Sequence, residues 1–185
     1  SKLGKQPKDI DFVYTTHTHG DHMGWNITWN NGVPEKTFPN AKYLVSKFDF
    51  DYYSENPNDD FNNQILPLKD LGGLELIEGR TEITKDVFSL PTNGHTPGHQ
   101  SLLLETHNKE KIILTGDLFH NEAQINEQYW CPIFDWNTIM STISRVGLLN
   151  SAYKNQWIIC TGHLADDKAI GRIQKNKDGF YWDPI

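Results

Sequence analysis

Apolar and polar positions alternate along this chain in short blocks, and the blocks predict strands more often than helices. "DFVYTT" (11–16) is a short β-prone run that ends at a group of histidines. "AKYLVS" (41–46) is a second strand candidate, followed by "KFDFDYYSENPNDD", a short helix running into a Pro/Asn/Asp loop. "LGGLELIEG" and "VFSLP" read as two strands of a hairpin-like region with glycines at the turns. "HQSLLLETHNKEKIILTGD" gives the clearest hairpin, two apolar runs around the polar turn "THNKE". From Asp135 the period changes. Trp136, Ile139, Met140, Ile143 and Val146 fall at helical spacing, which predicts a core-facing amphipathic helix with Asp135 as its N-cap. "WIICTGH" (157–163) reads as a buried strand ending in a histidine, and "GRIQKNKDGFYWDPI" as a polar hairpin around Asp178-Gly179. The opening "SKLGKQPKDIDFVYTTH" reads as the tail of a helix, a loop and a strand. No repeat, low-complexity tract or linker interrupts the pattern, so a mixed α/β layered domain is expected over residues 1–185.

Composition narrows the classes. The chain has 185 residues, 37% of them hydrophobic and 12% aromatic, which fits one globular domain rather than disorder. A formal charge of -7 argues against a nucleic-acid partner, which normally meets a basic surplus. No run approaches the roughly 20 apolar residues that span a bilayer, so no membrane partner is expected. Cys131 and Cys160 form neither a disulfide framework nor a CxxC pattern, and are expected to be packed, inert thiols of a reducing, cytoplasmic compartment. The chain opens without an initiator Met, which suggests that residues precede it in the whole protein.

The candidate chemistry lies in "YTTHTHGDHMGW", where His17, His19, Asp21 and His22 fall within six residues. Such a cluster is either a polar surface loop or half of a metal site. The remaining polar groups favour the second reading. His95 follows the apolar "VFSL", Asp117 follows "KIIL", and His163 follows "WII", so each cluster comes after a predicted strand end. Gly94, Gly116 and Gly162 immediately precede them and are expected to permit tight turns. His17 and His19, two apart, point to one side of an extended segment. Beyond Gly20 the backbone can turn Asp21 and His22 toward a second centre. Five histidines and two aspartates suit borderline divalent ions such as zinc, and iron, manganese or cobalt are accepted by the same donors.

"HTHGDH" resembles the HxHxDH signature of the metallo-β-lactamase superfamily, with "GHTPGHQS", "LTGD" and "TGH" in the expected order. The resemblance implies an αββα sandwich whose first strands lie outside this chain. It implies two divalent metal ions, one held by His17, His19 and His95, the other by Asp21, His22 and His163, with Asp117 bridging. "GHTPGHQSLLLE", "FPNAKYLV", "LPLKDLGGLELIEG" and "FDWNTIMSTISRVGLL" look like segments of the N-acyl-homoserine lactone lactonase branch, which includes organophosphate hydrolases of similar sequence. The implied activity is hydrolysis of a lactone or other carboxylic ester by a hydroxide held between two metals, with Asp21 carrying a proton to the leaving group. A phosphotriesterase or broad esterase on the same metals, and an inactive metal-binding domain, are the other readings. A small-molecule ester is the expected partner, with a second copy of the chain as a candidate for a homodimer.

One departure stands out: lactonases of the best-known kind carry a tyrosine three residues after the bridging aspartate, and this chain has His120. His120 is therefore a catalytic candidate, donating a hydrogen bond or sitting at the pocket rim. His99 and Gln100 are expected to orient ligands, and His107 to be solvated. Phe48, Phe50, Tyr52 and Tyr53 are expected in core or lid packing; Trp130 and Phe134 are candidates for a pocket wall.

Overall fold

A computed structural model describes residues 3–185, apart from the side chain of Asp166. The helix tail expected at the chain start falls partly on residues 1 and 2, outside the described residues; Pro7–Asp9 form a single 3-10 turn. The described chain divides into two compact units, one up to Glu78 and one from Gly79.

The first unit is built from β1 (Phe12–Tyr14), α1 (Gly20–Met23), β2 (Ile27–Asn30), β3 (Val33–Lys36), β4 (Lys42–Ser46), α2 (Lys47–Glu55), α3 (Asp59–Gln64), α4 (Leu66–Leu71) and β5 (Leu74–Ile77). β1, β4 and β5 form a parallel sheet in the order β1-β4-β5, and β2 and β3 form a separate antiparallel hairpin. β4, the central strand, carries Tyr43, Leu44 and Val45, all fully buried, as a parallel strand covered on both faces requires. The core of the unit gathers Met23, Ile27, Tyr43, Val45, Phe61, Ile65 and Leu68. Phe50 and Tyr53 pack against it, and both rings meet Phe61, while Phe48 is exposed. The residues Asp59 and Asp60, expected in a loop, open α3 because Asn58 caps it by accepting from the Phe61 N–H.

The second unit is a seven-stranded sheet in the order β12-β11-β10-β9-β8-β7-β6. Its strands are β6 (Glu82–Thr84), β7 (Val87–Pro91), β8 (Gln100–Glu105), β9 (Lys111–Leu114), β10 (Ile158–Cys160), β11 (Ile170–Asn176) and β12 (Gly179–Pro184). Two helices join them, α5 (Ala123–Asn126) and α6 (Thr138–Asn155). β8 and β9 form the expected hairpin, and so do β11 and β12. Only β9 and β10 run parallel, which places the residues after both strands at the same sheet edge. The pairing expected between "LELIEG" and "VFSLP" is not made. β5 runs parallel to β4 in the first unit, and β7 lies between β6 and β8 in the second. The core here gathers Ile113, Phe119, Leu149, Ile159, Ile173 and Trp182.

α6 also differs from its expected form. It starts at Thr138, capped by the Asn137 side chain, which accepts from the Met140 N–H; Asp135 lies upstream with another task. The face expected in the core is exposed: Ile139 and Ile143 are 72% and 66% accessible. The buried stripe is Ser141, Arg145, Leu148, Leu149 and Ala152. Its first turns pack on a polar loop, so small and hydrogen-bonding residues occupy positions where an apolar pattern was sought. No helix among the described residues is long and apolar enough to cross a membrane.

Candidate metal centre

In the first unit the candidate ligands follow β1 directly. His19 is extended and is the N-cap of α1, so Asp21 and His22 sit on that helix's opening turn. The His17 and His19 rings lie 4.6 Å apart and the His17 and His22 rings 4.2 Å apart. The Asp21 carboxylate approaches His22 Nε2 at 3.3 Å. One buried carboxylate organises the loop: Asp49 of α2 accepts from the Thr18 N–H at 3.1 Å and lies 3.4 Å from the Thr18 hydroxyl. Thr18 sits between the two imidazoles, so this contact fixes the backbone from which both project. Thr16 Oγ1 lies 3.1 Å from His17 Nδ1.

In the second unit the candidates come from three strand ends. His95 follows β7, Asp117 follows β9 and His163 follows β10. Three imidazole nitrogens surround one oxygen, Asp117 Oδ2: His163 Nε2 at 2.9 Å, His120 Nε2 at 3.3 Å and His95 Nε2 at 3.4 Å. The His120 ring stacks on that of His163, 5.2 Å away, and lies 4.9 Å from that of His95. His120 thus stands inside the cluster rather than at its rim. Phe134 meets the rings of His95 and His120 edge-on at 5.8 and 5.0 Å, whereas Trp130 is exposed.

Two buried networks hold these groups. His99 Nε2 accepts from the Asp117 N–H at 3.0 Å, so its proton is on Nδ1, which faces the Thr92 carbonyl at 3.0 Å and the Thr92 hydroxyl at 2.9 Å. Ser101 Oγ continues the chain, 3.0 Å from Thr92 Oγ1 and donating to the Thr115 carbonyl. His99 therefore orients the Asp117 backbone. Asp135, expected as a helix cap, instead meets His95 Nδ1 at 2.9 Å. Burial alone would raise its carboxyl. Hydrogen bonds with His95 and Ser141 and the charges of His95 and Arg145 outweigh that, and hold it below the ordinary carboxylate value. An ionised Asp135 can only accept, so the His95 nitrogen facing it, Nδ1, carries a proton, and Nε2, the nitrogen toward Asp117, is the one left to offer a lone pair to a metal ion. Arg145, itself fully buried, lies 3.9 Å from Asp135 and donates to the carbonyls of Leu118, Gln128 and Trp130.

The loop carrying His95 is also locked from below. The Trp136 and Asn137 N–H groups donate to the His95 and Gly94 carbonyls, and Ser144 Oγ donates to that of Asn93. Gly94 has φ +136° and a side chain there would overlap the backbone of Ser141, so both conformation and space demand glycine. Gly116 has φ +55°, but Gly162 has no such requirement: a Cβ would make ordinary contact with Asp117 Oδ1 at 3.7 Å. Of the residues sequence reasoning did not find, Asp49 lay in an aromatic run read as packing, and Arg145 lay on the predicted helix without a role assigned to it. His107 is exposed, as expected. Cys160 is half-buried, and burial pushes its thiol up; Cys131 is half-buried beside Thr138, Thr142 and Arg145.

This donor chemistry fits a divalent ion: several imidazoles around one carboxylate oxygen cannot all be good donors to it, whereas a cation accepts them all. Residues 1–163 match the family model of the metallo-beta-lactamase superfamily. The chain belongs to that superfamily. An N-acyl homoserine lactonase from a Bacillus species is 30% identical over 162 residues, 88% of this chain and 59% of the relative. The chain thus spans about three-fifths of the length of the curated relatives it matches. Among solved structures, the hydrolase AbOPH of the beta-lactamase superfamily is 23% identical with a TM-score of 0.85, covering 100% of this chain and 67% of that one. That likeness shows the fold, the metallo-β-lactamase α/β class expected above. An N-acyl homoserine lactone hydrolase with N-hexanoyl-L-homoserine at its catalytic metal centre is 28% identical, with a TM-score of 0.68 over 88% of this chain and 59% of that one. Within the superfamily, the similarity runs to the lactonase-like branch.

Proposed function

We propose that this chain carries the metal centre of a hydrolase that opens lactones or related carboxylic esters. The observation that carries the reading is the convergence of His95, His120 and His163 on Asp117, in a chain similar to lactonases along 88% of its length. The family pattern assigns one ion to His17, His19 and His95, a second to Asp21, His22 and His163, and Asp117 to both. Zinc is the ion that suits these donors best. Divalent ions so bound would polarise the ester carbonyl and make water acidic enough to attack it near neutral pH.

The chain's own residues then have separate duties. Asp135 keeps His95 Nε2 as the ligating nitrogen, and His99 holds the backbone of Asp117. Asp21, whose side chain is 64% accessible, is the group able to take a proton and deliver it to the departing alkoxide. His120 is the second catalytic candidate. Water adds across the acyl C–O bond: a lactone opens to a hydroxy acid, and an open-chain ester gives an acid and an alcohol.

Metal analysis of the purified protein, with a panel of lactone, aryl ester and phosphotriester substrates, tests the reading. Expected are two ions per chain, lactone turnover lost on chelation and recovered with zinc. An Asp117→Ala protein that still holds two ions would overturn the bridging assignment. A metal-loaded protein inactive on the whole panel would overturn the hydrolase reading.

A further inference from the structure

We infer that His120 is itself a metal ligand, adding its Nε2 to His95 Nε2 and Asp117 around one divalent ion. This rests on the metal-binding reading above and goes beyond it, since the superfamily pattern places no ligand at this position. The three donor atoms lie within 4.8 Å of one another, and all three residues belong to the unit that begins at Gly79.

The distances separate ligation from hydrogen bonding. N–H···O bonds cluster at about 2.9–3.0 Å. Donors about 2.0 Å from a tetrahedral ion lie roughly 3.3 Å from each other. Asp117 Oδ2 stands 3.3 Å from His120 Nε2 and 3.4 Å from His95 Nε2, which are the edges of a tetrahedron rather than hydrogen bonds. Both ring nitrogens of His120 are buried without a hydrogen-bond partner among the described residues, an arrangement a neutral imidazole does not tolerate without a further acceptor of its lone pair. The residue is held for this role. Its N–H donates to Gln124 Oε1 at 2.7 Å, and its ring is fixed between His163 and Phe134.

The test compares the 185-residue chain with His120→Tyr, which installs the phenol that lactonases carry there, and with His120→Gln as a second variant should the first fold poorly. Zinc affinity is measured by competition with a chromophoric chelator. The cobalt-loaded proteins are examined by proton NMR, in which each imidazole bound through Nε2 contributes one shifted, exchangeable Nδ1–H signal. Both variants are expected to bind their weaker zinc at least tenfold less tightly, since losing a ligand should cost no less than the roughly 10–100-fold of losing an outer partner. Each is expected to lack one shifted signal. Affinities within twofold of the parent and an unchanged signal count would overturn the assignment while leaving the metal reading intact. A parent chain that takes up neither zinc nor cobalt would overturn both.

Discussion

In the unit up to Glu78, four candidate ligands sit within six consecutive residues, and Asp49 grips the backbone of Thr18 between two of them. In the unit from Gly79, the candidates are spread over strand ends some 70 residues apart in the chain, from His95 to His163, and three buried groups (His99, Asp135 and Arg145) hold them. Contiguity explains the difference. A six-residue cluster needs only its own backbone fixed, whereas ligands from separate strands each need a separate support. A short loop is therefore inexpensive to organise and easy to loosen; the dispersed set is costly to build and fails as a whole when one support is removed.

The largest expected effect breaks the second arrangement at its centre. Arg145→Met should destabilise the protein by about 3–5 kcal/mol in urea unfolding, because it leaves the Asp135 charge buried without its cation and the Leu118 and Gln128 carbonyls without the guanidinium donor. A loss under about 1 kcal/mol would show that the supports act independently. Asp49→Ala tests the first arrangement and should cost less, about 1–3 kcal/mol, since it strands the Thr18 donors and leaves no buried charge behind. Faster hydrogen exchange of the Thr18 amide, with the His95 loop unaffected, is the accompanying observation; exchange unchanged at Thr18 would remove Asp49 from its role. Asn137→Ala removes the α6 cap and should cost about 1 kcal/mol by the same unfolding measurement. Ile143→Ser sharpens the comparison from its neutral end. The residue is 66% exposed and should change stability by no more than about 0.5 kcal/mol, whereas a core-facing helix would lose several times that.

The helix also marks where the sequence could be read and where it could not. Strands with local turn chemistry were legible: "SLLLE" and "KIIL" close around "THNKE", and the last two strands around Asp178-Gly179. So were His17, His95, Asp117 and His163 as residues following strand ends. β5 and β7 misled because both are apolar runs near glycines, and which partner an apolar strand chooses is decided by distant chain that leaves no local mark. The β2–β3 hairpin was available in Asn31-Gly32, a turn signal with positive φ at both residues. Asp135 was assigned by its place before a helical period, and a carboxylate ahead of a helix reads the same whether it caps the helix or reaches an imidazole 40 residues away. Supports are harder to read than ligands, because their chemistry is ordinary and only their neighbours make them specific.

Arg145 has one more consequence, for how the protein can change. Its guanidinium rivets the chain at Leu118, Gln128 and Trp130. Between and beyond those rivets lie side chains with no duty to the backbone, such as Tyr129, 79% exposed, and Ile133, fully exposed. Substitutions there can rewrite the surface of this segment while the backbone that Arg145 holds stays anchored. The segment is an exchangeable cassette, and new surface chemistry can be tried in it without rebuilding the centre it borders.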